Sequence, residues 1–308
     1  MGEPMEAPGP PGRFGIRNTL RFSSDPLRAL RTLTDEYGDV VHLKVLNRPW
    51  FIVNDPELID AVFVDHQRIM ARDHYTVVLQ RVLGLGLLTN DGDSWKRQRK
   101  LMSTAFTPKR IHGYAEAMVR VTERCIRTWR DREPMNLHQE MSRLTMEVVA
   151  EVLFGAGVSE ADVTTVGSAL EVINEFFANS PEAILKVPEW VPTPRNLRTR
   201  RAVREIDALL YRIIAERRAS EPRDDFLGTL LAAQDEGGTG MSDKQLRDEA
   251  VTLFLAGHET TSLALAHAIY LVSKHPDVER RVVAELDAVL GGRLPTAADV
   301  KRLTFTER

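Results

Sequence analysis

The chain has 308 residues, of which 43% are hydrophobic, and its charged side chains nearly balance to a net charge of −3. This composition predicts a soluble globular protein with one large core or two domains, and the charge balance does not call for a nucleic-acid partner. The single cysteine, Cys125, excludes an intramolecular disulfide and any metal site built from several cysteines, and it suits a reducing cytosol.

The N-terminus has the composition of a leader rather than of a secretion signal. Its first residues, MGEPMEAPGPPGRFG, carry acids and prolines where a signal peptide needs a basic start and an apolar core. We therefore assign residues 1–24 to a proline-rich leader and residues 25–308 to one domain. We also expect the protein in the cytoplasm.

One stretch after the leader predicts β-structure. YGDVVHLKVLNRPWFIVNDP, residues 37–56, has two β-branched runs separated by the turn-forming Asn47 and Pro49, which is typical of a β-hairpin. The rest of the chain gives no convincing strand signal. We therefore expect a mainly α fold with a small β-sheet, in the α+β class.

One predicted helix begins at a clear punctuation signal. Thr107 and Pro108 predict a cap followed by a first-turn proline. Apolar side chains then recur every three or four residues along one face of that helix. The members of that predicted face are Ile111, Tyr114, Met118, Val121, Cys125 and Trp129.

Capping pairs and closing residues mark the ends of the other helices. The pairs that predict helix starts are Asn136 with Gln139 and Ser242 with Gln245. The residues that predict helix ends are Gly155, Pro276, Gly291 and Gly292. Between the helices, residues 179–195 and 234–240 have the proline and glycine content of loops.

The long helix after Ser242 contains a polar interruption, LFLAGHETTSLAL, at residues 253–265. A buried Glu259 is costly unless a polar cavity, a partner or a raised pKa accommodates it. Gly257 would let a flat ligand approach the backbone, and the hydroxyl of Thr260 can turn onto a carbonyl one turn back. The spacing indicates a widened groove with a proton relay, or equally a buried helix whose polar residues pair with neighbouring helices.

Two other functions of this stretch are less consistent with its residues. His258 and Glu259 begin like the zinc-binding pattern HExxH, but the position of the second histidine holds Ser262. Residues 251–272 have the length of a membrane span, but they contain acidic and histidine side chains and lack flanking anchors. We expect neither a zinc site nor a membrane span.

A basic segment, GDSWKRQRKLMSTAF at residues 92–106, offers a second candidate site. Trp95 and Arg99 are four residues apart and share one face of a short helix, where an indole donor and a guanidinium can bind an anion such as a carboxylate. Three further basic residues surround them. The alternative is an exposed basic helix that the tryptophan anchors to the core.

Together these motifs resemble the cytochrome P450 superfamily of haem-thiolate monooxygenases. WKRQR is similar to the WxxxR helix of that family, and AGHETT is similar to its [AG]GxxT[TS] oxygen-activation helix. The hairpin, LTMEVVAEVLFG, HPDVERRVVAEL and the final LTFTER follow the same order. The resemblance extends from about Asp25 to the last residue.

The resemblance implies a haem b cofactor and a role for each matching residue. The residues that would bind it are Trp95 and Arg99 at the propionates, and Ala256 and Gly257 against the porphyrin. The residues that would deliver protons to dioxygen are Glu259 and Thr260. Leu88 would line the substrate pocket. The proline-rich loop at residues 180–194 would join two lid helices over the substrate channel.

The resemblance also implies an apolar organic substrate, O2, and electrons from a ferredoxin- or flavodoxin-type redox partner with its reductase. No GxGxxG nucleotide-binding fingerprint occurs in the chain itself. A family member that uses peroxide or isomerises its substrate is the first alternative. The presence of both Glu259 and Thr260 argues against it, because such chemistry would not need a proton relay for dioxygen.

Two signatures of the family are missing from the positions that the resemblance covers. Its ExxR pair belongs in the helix that LTFTER begins, and its cysteine ligand lies further on, so we expect an incomplete fold without a metal ligand. Glu140 and Arg143 spell ExxR upstream, where they are expected to form an ion pair. Cys125 lies on an apolar stripe without the ligand loop of the family.

We therefore expect weak or no haem retention and no monooxygenation from this polypeptide, because thiolate donation favours O–O cleavage. Uncovered apolar faces of residues 251–272 would also promote aggregation. The second alternative is a non-catalytic helical fragment of a broken or shortened gene.

Overall fold

The computed structural model describes residues 7–12, 15–45, 48–66, 69–155, 160–178 and 190–308. These residues are mostly helical with one antiparallel hairpin, which confirms the predicted mainly α fold with a small β-sheet. The chain divides into two compact units, Met1–Ala71 and Arg72–Arg308. The leader over residues 1–24 stays a prediction, although a helix begins inside it at Ile16.

The first unit contains the predicted hairpin. Its elements are α1 (Ile16–Ser24), α2 (Pro26–Tyr37), β1 (Val40–Val45), β2 (Arg48–Val53) and α3 (Pro56–Asp60), which continues as a π-helical turn over Ala61–Asp65. Alternate side chains of β1 are buried, and Leu33 of α2 packs against them. Val41 pairs with Ile52 and Leu43 with Trp50. Asn47, one of the two predicted turn residues, lies outside the described residues.

In the second unit, the regular elements that the structure describes are helices. Its helices are α4 (His74–Leu83), α5 (Gly92–Ser103), α6 (Pro108–Ile126), α7 (Leu137–Phe154), α8 (Glu160–Ala178), α9 (Pro194–Arg218), α10 (Phe226–Ala232), α11 (Asp243–Lys274) and α12 (Pro276–Leu290). Short 3₁₀ turns follow at Thr104–Phe106 and Ala297–Arg302. Residues 179–189, which make up most of the predicted loop at residues 179–195, lie outside the described residues.

Local sequence signals correctly predict most of these helix ends. Ser242 and Gln245 form a reciprocal capping box at the start of α11. The side chain of Asn136 accepts the backbone N–H of Gln139, and Gly155 closes α7 with a positive φ of 65°. Pro108 is the first residue of α6, although the Thr107 side chain makes no capping hydrogen bond. These ends depend on neighbours within four residues, so sequence alone identifies them.

The core of the second unit lies where α7 packs on α11 and α8 packs on α9. The side chains at its centre are Leu170, Ile173, Ile206, Leu246 and Phe254. Each is nearly inaccessible to solvent, and burial of such a side chain contributes roughly 1.5–3 kcal/mol. The core therefore fixes the first half of α11 firmly.

Two predicted apolar faces are buried only in part. On α6, Tyr114, Val121 and Cys125 are buried, but Ile111 and Met118 are more than two-fifths exposed. The apolar face of α6 is therefore only partly covered, because helical period does not reveal how far a neighbouring helix extends. Trp129 lies beyond the end of α6 at Ile126.

The predicted burial of residues 251–272 holds for the first half of α11 and fails for the second. Val251 and Phe254 are buried, whereas Ile269, Tyr270 and Leu271 are 41–55% exposed. This agrees with the expectation that apolar faces of the helix are uncovered. Among the helices that the structure describes, none has the length and hydropathy required to cross a bilayer.

Candidate functional site

The polar interruption of α11 places its residues on two opposite sides of the helix. Ala256 and Thr260 are exposed, Gly257 and Glu259 are half-buried, and His258 is buried. The idea that Glu259 is buried is thus wrong, because this side of α11 is open in the described structure. We call Ala256, Glu259, Thr260 and Leu263 the open stripe, since positions i, i+3, i+4 and i+7 share one helix face.

Hydroxyl groups contact the backbone carbonyls around the open stripe. The Oγ1 of Thr260 donates to the carbonyl of Ala256 at 2.6 Å. The Oγ of Ser262 donates to the carbonyl of Glu259 at 2.9 Å. Such bonds one turn back were expected from the sequence, and they compete with the helical ladder and favour local bending.

His258 belongs to the packed side of α11 and not to the open stripe. Its Nε2 lies 2.9 Å from the Oγ of Ser142, and the Oγ1 of Thr145 donates to its carbonyl at 3.1 Å. Burial lowers the pKa of the imidazole, which favours its neutral form. The alternative in which polar residues pair with a neighbouring helix is therefore correct for His258.

Gly257 has a packing role that the sequence interpretation missed. A Cβ at this position would lie 3.1 Å from the Cγ2 of Val149 on α7. The glycine therefore allows α7 to approach α11 closely, in addition to any approach of a ligand from the open side. Glycine between two helices gives no sequence signal that distinguishes these roles.

The basic segment on α5 has one cation that stands apart from the others. Lys96, Arg97 and Lys100 bind carboxylates of Asp93, Asp235 and Glu236, respectively. The Arg99 guanidinium instead lies 5.1 Å from the centre of the Trp95 ring. Within the described ranges, Arg99 has no carboxylate partner, so its donors are available to an external anion.

Trp95 is half-buried, and its donor is already engaged within the protein. Its indole Nε1 donates to the carbonyl of Leu87 at 3.1 Å. The predicted donation from this indole to an external anion would require exchange of that partner. In this structure Trp95 contributes its ring, which supports the guanidinium of Arg99. Leu88, the predicted pocket residue, follows Leu87 in the chain and is 44% exposed.

Two buried acids that sequence reasoning missed connect this loop to α11. Asp248 accepts the backbone N–H of Leu85 at 2.9 Å, and Glu249 accepts that of Leu87 at 3.0 Å. Burial raises the pKa of Glu249 to about 7. Their partners are more than 160 residues away in sequence, so no local pattern reveals them.

The contacts of Leu87 bring the two predicted regions to the same side of α11. Glu249 and Ala256 are seven residues apart, which is nearly two full turns, so they share a face about 10 Å apart along the axis. Leu87 binds Glu249 through its N–H and Trp95 through its carbonyl. Trp95 and the open stripe therefore lie on the same side of this helix.

Gly86 is required by the close approach of this loop to α11. A Cβ at Gly86 would lie 2.1 Å from the Oγ1 of Thr252 and 2.8 Å from the backbone carbonyl of Asp248. We expect Gly86→Ala to destabilise the fold by about 1–3 kcal/mol, as overpacking does. Urea unfolding monitored by circular dichroism measures this loss in the free energy of unfolding.

Gly113 provides the matched control for that substitution. It lies on α6, where an added Cβ meets no atom within 4 Å. Gly113→Ala is expected to stabilise the helix by about 1 kcal/mol, because alanine has the higher helix propensity. Equal effects of the two substitutions would contradict the proposed contact at Gly86.

The upstream ExxR sequence and the single cysteine, Cys125, have structural roles. Arg143 binds Glu140 at 2.8 Å, and Glu140 also accepts the indole N–H of Trp129 at 2.9 Å. These bonds keep the pKa of Glu140 below its usual range. Cys125 is buried, and that burial raises the pKa of its thiol, which disfavours the thiolate that metal ligation needs. Across the described residues, no group of three or more His, Cys, Asp or Glu side chains has an arrangement that could hold a metal ion.

Comparisons with known proteins agree with this arrangement. The family model described as cytochrome P450 matches residues 8–308. Cyclooctatin synthase from Streptomyces melanosporofaciens is 36% identical over 94% of this chain and 64% of its own length. Cyclooctat-9-en-7-ol 5-monooxygenase from the same organism is 32% identical over 97% of this chain and 65% of its own.

A third relative and one solved structure extend the comparison. Pentalenene oxygenase from Streptomyces avermitilis is 29% identical over 92% of this chain and 63% of its own length. The chain thus spans 63–65% of these curated relatives. The retinoic acid-bound cyanobacterial CYP120A1 matches with a TM-score of 0.83 and 24% identity, covering 98% of this chain and 68% of that chain. This last likeness concerns the fold alone.

Proposed function

The chain belongs to the cytochrome P450 family, and we propose that it provides one side of the haem and dioxygen site of a monooxygenase. That enzyme would insert one oxygen atom from O2 into an apolar organic substrate. The observation that carries the proposal is the open stripe of α11 on the same side as Trp95 and the available Arg99.

The described residues fit a haem group in two respects. Ala256 and Gly257 leave little side-chain bulk on α11, so a flat ring can approach its backbone. The Arg99 guanidinium has no carboxylate partner among the described residues, and such a group pairs well with a carboxylate such as a propionate. Trp95 would hold that guanidinium in place rather than donate to the propionate itself. When bound, haem would supply the iron at which dioxygen is activated.

Glu259 and Thr260 are the residues that we propose to move protons. Thr260 is exposed, and its hydroxyl hydrogen points to the carbonyl of Ala256, so an oxygen lone pair is free to accept a hydrogen bond. Glu259 is half-buried at the boundary between helix packing and solvent, where a carboxyl can exchange protons with water. Together they could pass a proton from solvent to a ligand on the open stripe.

The family membership and the names of the relatives support a proposal for the substrate and the partners. The names of two relatives state oxygenation of cyclooctat-9-en-7-ol and pentalenene, so we infer an apolar alkene or alkenol for this protein. Leu88 is exposed beside Trp95 and would contact such a substrate. Electrons would come from a ferredoxin- or flavodoxin-type partner and its reductase, in the cytoplasm.

The anion-binding role of Arg99 is testable with this polypeptide. We expect ferric haem to quench tryptophan fluorescence on titration, and to bind about fivefold more tightly than its dimethyl ester, whose propionates are blocked. Arg99→Gln should abolish that preference. Lys100→Gln is the matched control, because Lys100 is exposed but already paired with Glu236. A preference that survives in Arg99→Gln would contradict the proposal.

The spectrum of the same complex is a separate prediction. We expect no red-shifted, thiolate-type Soret band from the reduced carbon-monoxide complex, because the Cys125 thiol is buried and its pKa is raised. Ultraviolet-visible spectroscopy of the haem-loaded chain makes this measurement. A thiolate-type band that disappears in Cys125→Ser would show that this cysteine can ligate the iron.

A further inference from the structure

The peptide group of Leu87 is held from both sides. The buried carboxylate of Glu249 accepts its N–H at 3.0 Å, and the Trp95 indole donates to its carbonyl at 3.1 Å. The Arg72 guanidinium reaches the same carbonyl at 3.4 Å. The next residue, Leu88, is exposed, so the clamped peptide lies between α11 and a candidate substrate contact.

We propose that Glu249 is a positioning residue: its carboxyl fixes the Leu87 peptide and thereby orients Trp95 and Arg99 for binding of a carboxylate-bearing cofactor. This inference rests on the proposed function for its final step. Its first step, control of Leu87 and Trp95 by Glu249, stands on geometry alone.

The environment of Glu249 suits a residue that positions the Leu87 peptide. Its side chain is inaccessible to solvent, yet the nearby cations Lys244 and Arg247 bind Asp248 instead. In the part of the chain that the structure describes, the Leu87 N–H is the hydrogen-bond partner of its Oε2, and its Oε1 has none. An acid is retained at a costly position, and the contact that it makes there is the one to Leu87.

The neighbouring acid shows why the two residues differ. Asp248 has a 2.6 Å contact to Lys244 and a 3.0 Å contact to Arg247, and it accepts the N–H of Leu85. Asp248 therefore belongs to an ion-pair network that also ties α9 to α11 through Asp207. Among the residues that the structure describes, Glu249 has no cationic partner, so its loss should act on the loop more than on helix packing.

Hydrogen exchange tests the first step without any cofactor. In Glu249→Leu, the backbone amide of Leu87 should exchange about 10- to 100-fold faster than in the unchanged protein, since a buried acceptor is lost. Glu249→Gln keeps an acceptor oxygen and should preserve the slow exchange. Unchanged exchange in Glu249→Leu would overturn the inference.

The indole N–H resonance of Trp95 gives a signature that a general loss of stability would not produce. The chain has four tryptophans, and Trp95→Phe identifies the resonance of interest. It should shift in Glu249→Leu and keep its position in Glu249→Gln, while the other indole resonances stay in place. A shift of all of them in both variants would indicate global change and would overturn the positioning role.

Haem titration tests the last step and separates the two possible failures. If both proposals are correct, Glu249→Leu loses most of the preference for free-acid haem over the dimethyl ester, and Glu249→Gln retains it. If the exchange and resonance changes occur but the wild-type protein does not prefer free-acid haem, the proposed function fails. The control of Leu87 and Trp95 by Glu249 is then still supported. A preference that persists in Glu249→Leu overturns the inference about Glu249. Glu205→Gln, a partly exposed acid on α9, is the control.

Discussion

Between pH 4.5 and 7, the free energy of unfolding should fall by about 3 kcal/mol in the wild-type protein because of Glu249, and Glu249→Gln should abolish this pH dependence. Burial raises the pKa of Glu249 in the folded protein from an ordinary 4.5 to about 7, against a lowering contribution from the Leu87 N–H. The folded state therefore retains a proton that the unfolded chain releases in this range. The stabilisation is complete below pH 4.5 and is lost as the pH rises through 7.

The charged groups around Glu249 do not change the sign of this prediction. The adjacent Asp248 raises its pKa further, and Lys244 and Arg247 are occupied by Asp248. Asp207 of α9 faces Arg247 rather than Glu249. Urea unfolding at several pH values measures the effect as the difference between the unchanged protein and Glu249→Gln. Parallel stability curves for the two proteins would contradict the raised pKa.

Arg247→Met should be the most destabilising substitution of a charged residue on α11, with an expected loss of about 3–5 kcal/mol in the free energy of unfolding. The Arg247 side chain is 7% exposed and bridges Asp207 and Asp248. Its removal leaves the Asp248 carboxylate buried with Lys244 as its remaining cation. Loss of one partner from a buried pair costs more than the pair contributes, because the other charge stays desolvated.

An exposed arginine on α9 is the matched control for that measurement. Arg201 binds Glu205 at 2.9 Å in an i, i+4 pair, and its side chain is 82% exposed. Arg201→Met should change the free energy of unfolding by less than about 1 kcal/mol, as exposed ion pairs do. Chemical unfolding of both variants compares them directly. Similar losses would show that Arg247 has no special structural role.

The fold was predictable from the sequence where structure depends on near neighbours. The capping box of Ser242 and Gln245, the proline at the start of α6 and the closing glycine of α7 all act within one helical turn. The two β-branched runs that form β1 and β2 likewise predict the hairpin. Such signals set the element type and its ends, and they explain why the mainly α fold was correctly inferred.

The candidate site was less predictable because its contacts are distant in sequence. The motifs identified Trp95, Arg99 and the Ala256–Thr260 segment, but not the Leu87 peptide that joins them. Periodicity suggested that Glu259 was buried, yet helix packing leaves its side partly open. The acids that are truly buried, Asp248 and Glu249, lie about three turns before Glu259 and look like ordinary charged helix residues in the sequence.

In the proposed site, Ala256 and Thr260 form a ligand-facing surface on the same side as Arg99. Both residues carry methyl groups, so methyl NMR in the presence of paramagnetic ferric haem tests this claim directly, with diamagnetic gallium protoporphyrin as the reference. We predict strong broadening of the Ala256 and Thr260 methyl signals and no broadening at the buried Val121 of α6. Sharp Ala256 and Thr260 signals in a chain that has bound haem would contradict the claim.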